Sequence, residues 1–216
     1  MRLALHESFI PMANLSLKVF ALGELYTNCY VVYDNEKHAF IIDAPSPSRE
    51  IVDFINKEKL NIEFIALTHG HFDHISALAE LSFPFYVHKE DAQLMKNSDL
   101  NGSTFFNASI TIEKEPASFL EENKPLVFGG SKIEIFHTPG HTPGSVCIKI
   151  GKWLFSGDTL FFGSVGRTDV PLGSYDSLIK SIKTKLLVLP KDTVIYPGHG
   201  EASTIEEEIT SNHFLK

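Results

Sequence analysis

The residues best suited to chemistry stand in one short stretch, ALTHGHFDHIS, at positions 66–76. It places His69, His71, Asp73 and His74 within six positions, directly after a run of apolar residues. Imidazole and carboxylate groups with no cysteine nearby suit borderline divalent cations such as Zn²⁺, Fe²⁺ or Mn²⁺. The spacing of His69 and His71 allows two imidazoles to converge on one ion, whereas Asp73 and His74 project differently and favour a second ion. The stretch alone predicts a metal-binding loop.

Four further motifs share a format, in which an apolar strand runs into a turn that contains glycine and one strong ligand or acid. They are IEIFHTPGHTPGS with His141, WLFSGDTLF with Asp158, SVGRTDV with Arg167, and VIYPGHG with His199. The segment AFIIDAP ends at Asp43 without the glycine. One tetrahedral ion needs three or four ligands, but five His and two Asp stand in ligand-like contexts, so the count favours two ions.

Hydrophobic periodicity predicts the elements that position these motifs. A helix over 48–59 is indicated by Ile51, Phe54 and Ile55 at i, i+3 and i+4. The first cluster is predicted in a strand-to-helix loop, with Asp73 near the start of the following helix. Strands are predicted at 17–22, 28–33, 39–42, 64–67, 85–87, 133–136, 146–150, 153–156 and 194–196, and further helices at 75–81, 90–96 and 175–187.

The chain length predicts a single domain over residues 1–216. Within it, residues 1–16 are interpreted as an N-terminal extension, and 97–124, where neither period is clear, as a loop-rich insert or lid. Cys29 and Cys147 stand 118 positions apart in strand-like runs and are predicted to be buried free thiols. This cysteine usage fits a reducing compartment.

Composition narrows the classes of partner. A formal net charge of −8 disfavours a broad surface for nucleic acid or anionic membrane, so we expect a small-molecule substrate and leave the oligomeric state open. The N-terminus lacks a signal-peptide apolar region, and no stretch approaches the roughly 20 apolar residues of a membrane span. We therefore expect a cytoplasmic protein with no membrane partner.

The motifs HGHFDH, GHTPGS, SGDTLF and PGHG, in this order, resemble the metallo-β-lactamase superfamily. They are most similar to its short, single-domain glyoxalase II-like (hydroxyacylglutathione hydrolase-like) members, and the resemblance extends over about residues 17–207. It implies a mixed α/β (α+β) fold. The architecture would be a four-layer αββα sandwich with metals at one edge of the two sheets.

The resemblance also implies two sets of three metal ligands, joined by a bridging carboxylate from Asp158. Zinc is the favoured cation, with iron or manganese as alternatives. The two sets are His69, His71 and His141 for the first ion, and Asp73, His74 and His199 for the second.

Three more residues are expected near the ligands. Asp43 could accept a hydrogen bond from a ligand imidazole and fix its tautomer, or it could simply form a turn. His137, four positions before His141 at a strand end, could contact a ligand, or it could be an ordinary surface or hydrogen-bonded core histidine. Arg167, in the family-like string GRTDV, is either half of a structural ion pair with Asp169 or a substrate contact.

The implied activity is metal-dependent hydrolysis of a thioester. A metal ion lowers the pKa of its bound water to about 7, which provides a hydroxide nucleophile without a separate general base. Asp73 and Asp158 are the predicted catalytic carboxylates, and either the other metal ion or Asp73 would assist departure of the leaving group. The expected substrate is a hydroxyacyl thioester such as S-lactoylglutathione. However, residues 201–216 are acidic and lack the basic helical clamp of longer glyoxalase II proteins, which leaves the glutathione preference open.

Other functions share parts of the pattern. A mononuclear-iron persulfide dioxygenase carries the same HxHxDH and GRTD strings, and a lactonase-type hydrolase belongs to the same superfamily. A β-lactamase is disfavoured because the best-known zinc enzymes of that kind place Cys where Asp158 stands, and a nuclease would need a basic face. A metal-stabilised binding or redox-partner module without turnover is the non-enzymatic alternative, but seven potential ligands exceed the four of a structural ion.

Overall fold

The computed structural model describes residues 15–216, and its first half forms a six-stranded sheet. The first three strands are antiparallel, and the last four, starting with the third, are parallel. The parallel strands end at the same edge of the sheet. In spatial order the strands are β1 (Leu15–Leu22), β2 (Thr27–Asp34), β3 (His38–Ile42), β4 (Asn61–Ala66), β5 (Phe85–Val87) and β6 (Ser118–Phe119).

The second half forms another six-stranded sheet and a small hairpin. Its strands are β7 (Leu126–Phe128), β8 (Ser131–His137), β9 (Val146–Ile150), β10 (Trp153–Gly157), β13 (Val194–Pro197) and β14 (Ser203–Thr204). Their spatial order is β14-β13-β10-β9-β8-β7, in which β10 and β13 form the parallel pair. The hairpin consists of β11 (Leu160–Phe161) and β12 (Ser164–Val165).

Helices connect the strands in both halves. They are α1 (Arg49–Glu58), α2 (Phe72–Ile75), α3 (Leu78–Leu81), α4 (Lys89–Leu94), α5 (Tyr175–Ser181) and α6 (Ile205–Ser211). A π-helical turn, Ile182–Leu186, continues α5, and 3-10 turns lie at Ser103–Phe106 and His213–Leu215. The sequence analysis did not predict α6.

Side-chain alternation along the strands separates the layers of the first half. In β2, Cys29 and Val31 pack on the outer side with Ile51 of α1, whereas Tyr30 and Val32 join the core that is shared with the second sheet. This two-residue period is expected of a strand that is covered on both faces. The first sheet therefore lies between a helical layer and the second sheet.

The second half repeats this division. Trp153 and Phe155 of β10 face the shared core, and Leu154 points outward to pack with Leu178 of α5 and Ile205 of α6. The layers are thus helix, sheet, sheet and helix, which confirms the predicted αββα sandwich. The prediction of buried free thiols at the two cysteines is confirmed as well.

The structure describes only part of the predicted N-terminal extension, and it shows little regular structure in the predicted insert over residues 97–124. Residues 1–14 of the predicted N-terminal extension lie outside the described residues, while Leu15 and Ser16 already belong to β1. The segment 97–124 contains the 3-10 turn Ser103–Phe106 and the two-residue strand β6, and its role as a lid stays a prediction.

Within residues 15–216, no helix is long and apolar enough to cross a membrane.

The helix predicted over 75–81 begins earlier and is interrupted. His71 has extended backbone angles and precedes α2, so Asp73 and His74 lie inside the helix rather than in a loop before it. The break between α2 and α3 has a hydrogen-bonding cause, because the Ala77 N–H donates to the Ala44 carbonyl at 2.8 Å instead of continuing the helix. A neighbouring strand end therefore decides where α2 stops.

Candidate metal centre

The predicted ligand side chains lie at one edge of the sandwich, where strands of both sheets end. The first motif follows β4, and His141 lies in the loop after β8. Asp158 directly follows β10, and His199 follows β13 by two residues. Side chains from four distant loops therefore meet beyond the strand ends.

The ligand atoms form three overlapping groups, and within each group all ligand atoms lie within 4.8 Å of one another. The first and third groups contain the same residues as the two predicted ligand sets, and the second contains Asp158. The groups are His69, His71 and His141; His69, His74 and Asp158; and Asp73, His74 and His199. Each group could hold one metal ion.

Asp158 lies between the two sets. Its Oδ1 is 3.4 Å from His74 Nε2, and its Oδ2 is 3.6 Å from His141 Nε2 and 3.5 Å from His199 Nε2. Asp73 Oδ2 lies 3.3 Å from the same His199 nitrogen and accepts a hydrogen bond from Thr27 Oγ1 at 2.8 Å. Asp158 thus lies close to ligands of both sets, with Oδ1 near the second set and Oδ2 near a histidine of each.

Buried nitrogen and oxygen atoms without partners test whether these residues suit a cation. Among the described residues, five buried side-chain N or O atoms have no hydrogen-bond partner, and four of them belong to this cluster. They are His69 Nε2, His71 Nε2, His74 Nε2 and Asp158 Oδ1. Burying an unpaired polar atom costs free energy that a coordinated cation would recover. The donor set therefore fits divalent metal.

Electrostatics divide the imidazoles into two kinds. Burial lowers the pKa of His71 to about 3, and the nearby His141 adds to this, so the ring stays neutral as a metal ligand must be. Burial also lowers the pKa of His199, but Asp158 and Asp73 outweigh it and raise that pKa to about 10. Asp158 and Asp73 therefore stabilise positive charge next to His199, and a bound cation would supply that charge.

Asp43 fixes one ligand ring. Its Oδ2 lies 2.8 Å from His74 Nδ1 and also accepts a hydrogen bond from Thr68 Oγ1 at 2.8 Å, while Oδ1 accepts from the Thr68 N–H at 2.7 Å. With Nδ1 engaged, His74 presents Nε2 to the centre. Asp43 therefore lies where it can accept a hydrogen bond from the imidazole of a candidate ligand, which was the first of the two roles considered for it.

Backbone carbonyls orient two more rings. His141 Nδ1 donates to the Arg167 carbonyl at 2.8 Å, and His199 Nδ1 donates to the Leu25 carbonyl at 3.0 Å. The Arg167 side chain instead forms a two-point ion pair with Asp169, at 2.8 and 2.9 Å. The side chain of Arg167 thus forms the ion pair with Asp169 that was one of its two predicted roles. Its backbone carbonyl also contacts His141, and this contact could not be predicted from residue types.

His137 does not contact the ligand side chains, which corrects the expectation for it. Its Nε2 donates to the Pro143 carbonyl at 2.9 Å, and its ring stacks on His88 with a centroid distance of 4.1 Å. His137 is the last residue of β8, and its pairing with Val146 fixes the face on which its side chain lies.

Asp91 is the residue at this centre that the sequence analysis missed. It is fully buried on α4 and accepts hydrogen bonds from the Gly70 N–H at 2.8 Å, Thr142 Oγ1 at 2.7 Å and the Gly144 N–H at 2.7 Å. Burial raises its pKa to about 6, although the three hydrogen bonds act in the opposite direction. One carboxylate therefore joins the loop of His69 and His71 to the loop of His141.

A cavity of about 610 Å³ opens onto the ligands. Its lining combines a polar wall of ligand side chains with an aromatic wall of four phenylalanine side chains. The polar wall includes His71, Asp73, His141, Asp158 and His199, and the aromatic wall Phe72, Phe105, Phe106 and Phe161. A small organic molecule can therefore reach the ligand atoms from the solvent side.

Gly198→Ala is expected to disturb the centre directly. A Cβ at this position would lie 2.1 Å from Asp158 Oδ1 and 2.7 Å from His74 Cε1, so Asp158 would have to move. We expect metal affinity to fall by about 10–100-fold, the range typical of disturbed metal surroundings, as measured by competition with a chromophoric chelator. Far-ultraviolet circular dichroism should stay unchanged, and wild-type affinity in the variant would contradict the assigned position of Asp158.

The αββα sandwich with a His/Asp cluster at its edge is the arrangement of a metallo-hydrolase. The family model described as the Metallo-beta-lactamase superfamily matches residues 22–199, and the chain belongs to this superfamily. The chain is 36% identical over 208 residues to "Hydroxyacylglutathione hydrolase GloC" of Haemophilus influenzae, an alignment that covers 93% of this chain and 98% of the relative.

Two solved structures are similar over almost their whole length. One is described as "BLEG-1 B3 metallo-beta-lactamase", with 38% identity, a TM-score of 0.87, and coverage of 93% of this chain and 99% of that one. The other, TTHA1623, is described "in a di-iron-bound form", with 35% identity, a TM-score of 0.81, and coverage of 91% and 99%. These likenesses support a divalent metal site in this fold and leave the identity of the metal open.

Proposed function

We propose that the protein is a thioester hydrolase of the glyoxalase II type, for which S-lactoylglutathione serves as the reference substrate. The observation that carries the proposal is the pair of adjoining ligand groups with Asp158 between them, open to a cavity. The similarity to the hydroxyacylglutathione hydrolase of Haemophilus influenzae supports the choice of a thioester among the substrates of metallo-hydrolases.

The proposed cofactor is a pair of divalent cations. We assign zinc to both positions, with iron or manganese as alternatives, because imidazole and carboxylate ligands accept all three. When bound, the cations supply an activated water and polarise the acyl carbonyl of the substrate. The first set of ligands would be His69, His71 and His141, the second Asp73, His74 and His199, with Asp158 shared between them.

Residues of the chain orient the ligand rings and transfer a proton to the leaving group. Asp43 and the Arg167 carbonyl hold the rings of His74 and His141, so the ligand nitrogens stay aimed at the centre. In hydrolysis, a bond forms between the oxygen of water and the acyl carbon, the carbon–sulfur bond breaks, and the thiolate takes up the proton that the water has lost. We assign the transfer of that proton to Asp73, which faces the cavity and is held by Thr27.

A thioester assay on protein of measured metal content tests the proposal. Metal-replete protein should hydrolyse S-lactoylglutathione, release free thiol, and contain about two metal ions per chain. Chelation should abolish the activity, and readdition of metal should restore it. Metal-replete protein that cleaves no thioester would contradict the proposed function.

β-Lactam hydrolysis is the second candidate, because the structure described as a B3 metallo-beta-lactamase is 38% identical to this chain. The same preparation should therefore be assayed with a chromogenic cephalosporin. Faster cleavage of the β-lactam than of any thioester would favour this candidate. One iron per chain, with oxygen uptake on glutathione persulfide, would instead indicate the persulfide dioxygenase alternative, and turnover of a lactone the lactonase-type alternative.

A further inference from the structure

The aromatic wall of the cavity is built from phenylalanine side chains, two of which are exposed to solvent. Phe105 is 69% exposed and Phe106 is 47% exposed, and the Phe106 ring lies 5.0 Å from that of Phe72. Exposed aromatic groups clustered at a cavity are a signature of a surface that binds an apolar partner. Here that surface directly adjoins the metal ligands.

The aromatic wall is anchored to the metal loop. Phe105 and Phe106 lie on the 3-10 turn Ser103–Phe106, and the Asn101 carbonyl just before this turn accepts a hydrogen bond from the Phe72 N–H at 3.0 Å. Asn101 is fully buried, and its amide donates to the Ile110 carbonyl at 2.7 Å. Because Phe72 starts α2, which carries Asp73 and His74, the wall keeps a fixed position relative to the ligands.

The charges around the cavity do not suit a glutathione carboxylate. Among its lining residues, all of them described, Arg167 is the single Lys or Arg, and Asp169 already occupies its guanidinium through two hydrogen bonds. Asp73 and Asp158 add negative charge to the same cavity. Glutathione carries two carboxylates, which would be placed in this cavity without a free cationic partner.

We propose that this site prefers thioesters whose thiol arm is apolar and uncharged, such as a benzyl or alkyl thiol, over glutathione thioesters. The thiol arm would pack on Phe105 and Phe106 while the acyl carbonyl faces the metal ligands. The proposal rests on the proposed thioester hydrolysis and narrows its substrate class. Phe105 and Phe106 are then residues that determine specificity.

The test compares two substrates with the same lactoyl group, the lactoyl thioester of benzyl thiol (S-benzyl 2-hydroxypropanethioate) and S-lactoylglutathione, on metal-replete wild-type protein. The benzyl thioester should have a kcat/KM at least about tenfold higher. The double substitution Phe105→Ala and Phe106→Ala should lower that value by about 10–100-fold, the amount expected when buried aromatic contacts are lost, and should leave the glutathione thioester within about twofold. Phe105→Leu with Phe106→Leu should restore most of the loss.

Phe214→Ala is the matched control, because Phe214 is 48% exposed and does not line the cavity. It should leave both substrates unchanged, and circular dichroism with metal analysis should show that all variants are folded and loaded. A preference for S-lactoylglutathione, or an equal loss for both substrates in the double Ala variant, would overturn the inference while leaving thioester hydrolysis intact.

A binding measurement separates this inference from the proposed function. Calorimetry measures the binding affinities of two non-hydrolysable thioethers, one bearing a benzyl group and one bearing glutathione. It therefore compares the two thiol arms without any turnover. Tighter binding of the benzyl thioether, lost in the double Ala variant, would support the apolar site. Equal affinities would overturn it. Absence of turnover with every thioester would contradict only the proposed function.

Discussion

Asp158→Ala is expected to lower kcat/KM for thioester hydrolysis by roughly three orders of magnitude and to reduce the bound metal below two ions per chain. The reason is geometric, since among residues 15–216 Asp158 is the one carboxylate within 4 Å of histidines from both ligand sets, namely His74, His141 and His199. Its removal would leave two partial sites with no shared ligand. Metal analysis and thiol-release kinetics on the same preparation check both effects.

Asp192→Ala provides the control for this change, because Asp192 is exposed and pairs with Lys152 before the starts of β13 and β10, whereas His199 and Asp158 follow the ends of these strands. It should retain wild-type turnover and metal content. Asp158→Asn keeps the volume of the side chain but removes its charge, so its metal content should also fall. Unchanged turnover in Asp158→Ala would remove the bridging role from this residue and with it the reason to place two ions in one centre.

The cluster of candidate metal ligands could be predicted from the sequence because its signal is local. His69, His71, Asp73 and His74 stand in one string, and His141, Asp158 and His199 each follow an apolar strand into a glycine-containing turn. Strand ends of packed sheets meet at a common edge, so a strand followed by a ligand already indicates where the ligand goes. The αββα layering was implied by the family resemblance.

The groups that hold the ligands could not be predicted in the same way. The contact of His141 with Arg167 involves a backbone carbonyl, which every residue possesses, so residue identity carries no information about it. The start of α2 at Phe72 depends on its contact with the Asn101 carbonyl, 29 positions later. Tertiary contacts of this kind override local helix signals.

The position of Phe105 and Phe106 in the aromatic wall could not be predicted from the sequence either. Phe105 and Phe106 stand in the segment 97–124, where neither the helical nor the strand period is visible. Only the fold shows that a 3-10 turn places these rings on the cavity. A loop without periodicity thus carries the residues proposed to determine specificity, whereas the regular elements position the candidate metal ligands.

Asp91→Asn is expected to weaken metal binding although Asp91 is not a proposed ligand. Its carboxylate accepts three hydrogen bonds from two loops, one bearing His69 and His71 and the other bearing His141. An amide retains one acceptor oxygen and places an NH₂ group against donors, so at least one hydrogen bond is replaced by a repulsive contact. The two loops would then separate slightly and the three imidazoles would converge less well.

Competition with a chromophoric chelator should show a metal affinity about 10–100-fold lower in Asp91→Asn than in the wild type. Turnover should fall at limiting metal and recover largely when metal is in excess, because the ligands themselves are intact. Glu90→Gln is the matched control, since it alters the neighbouring residue on the same helix, whose side chain is exposed, and it should leave affinity unchanged. Wild-type affinity in Asp91→Asn would mean that the two loops are held in register without this carboxylate, by the packing of β4 and β8 alone.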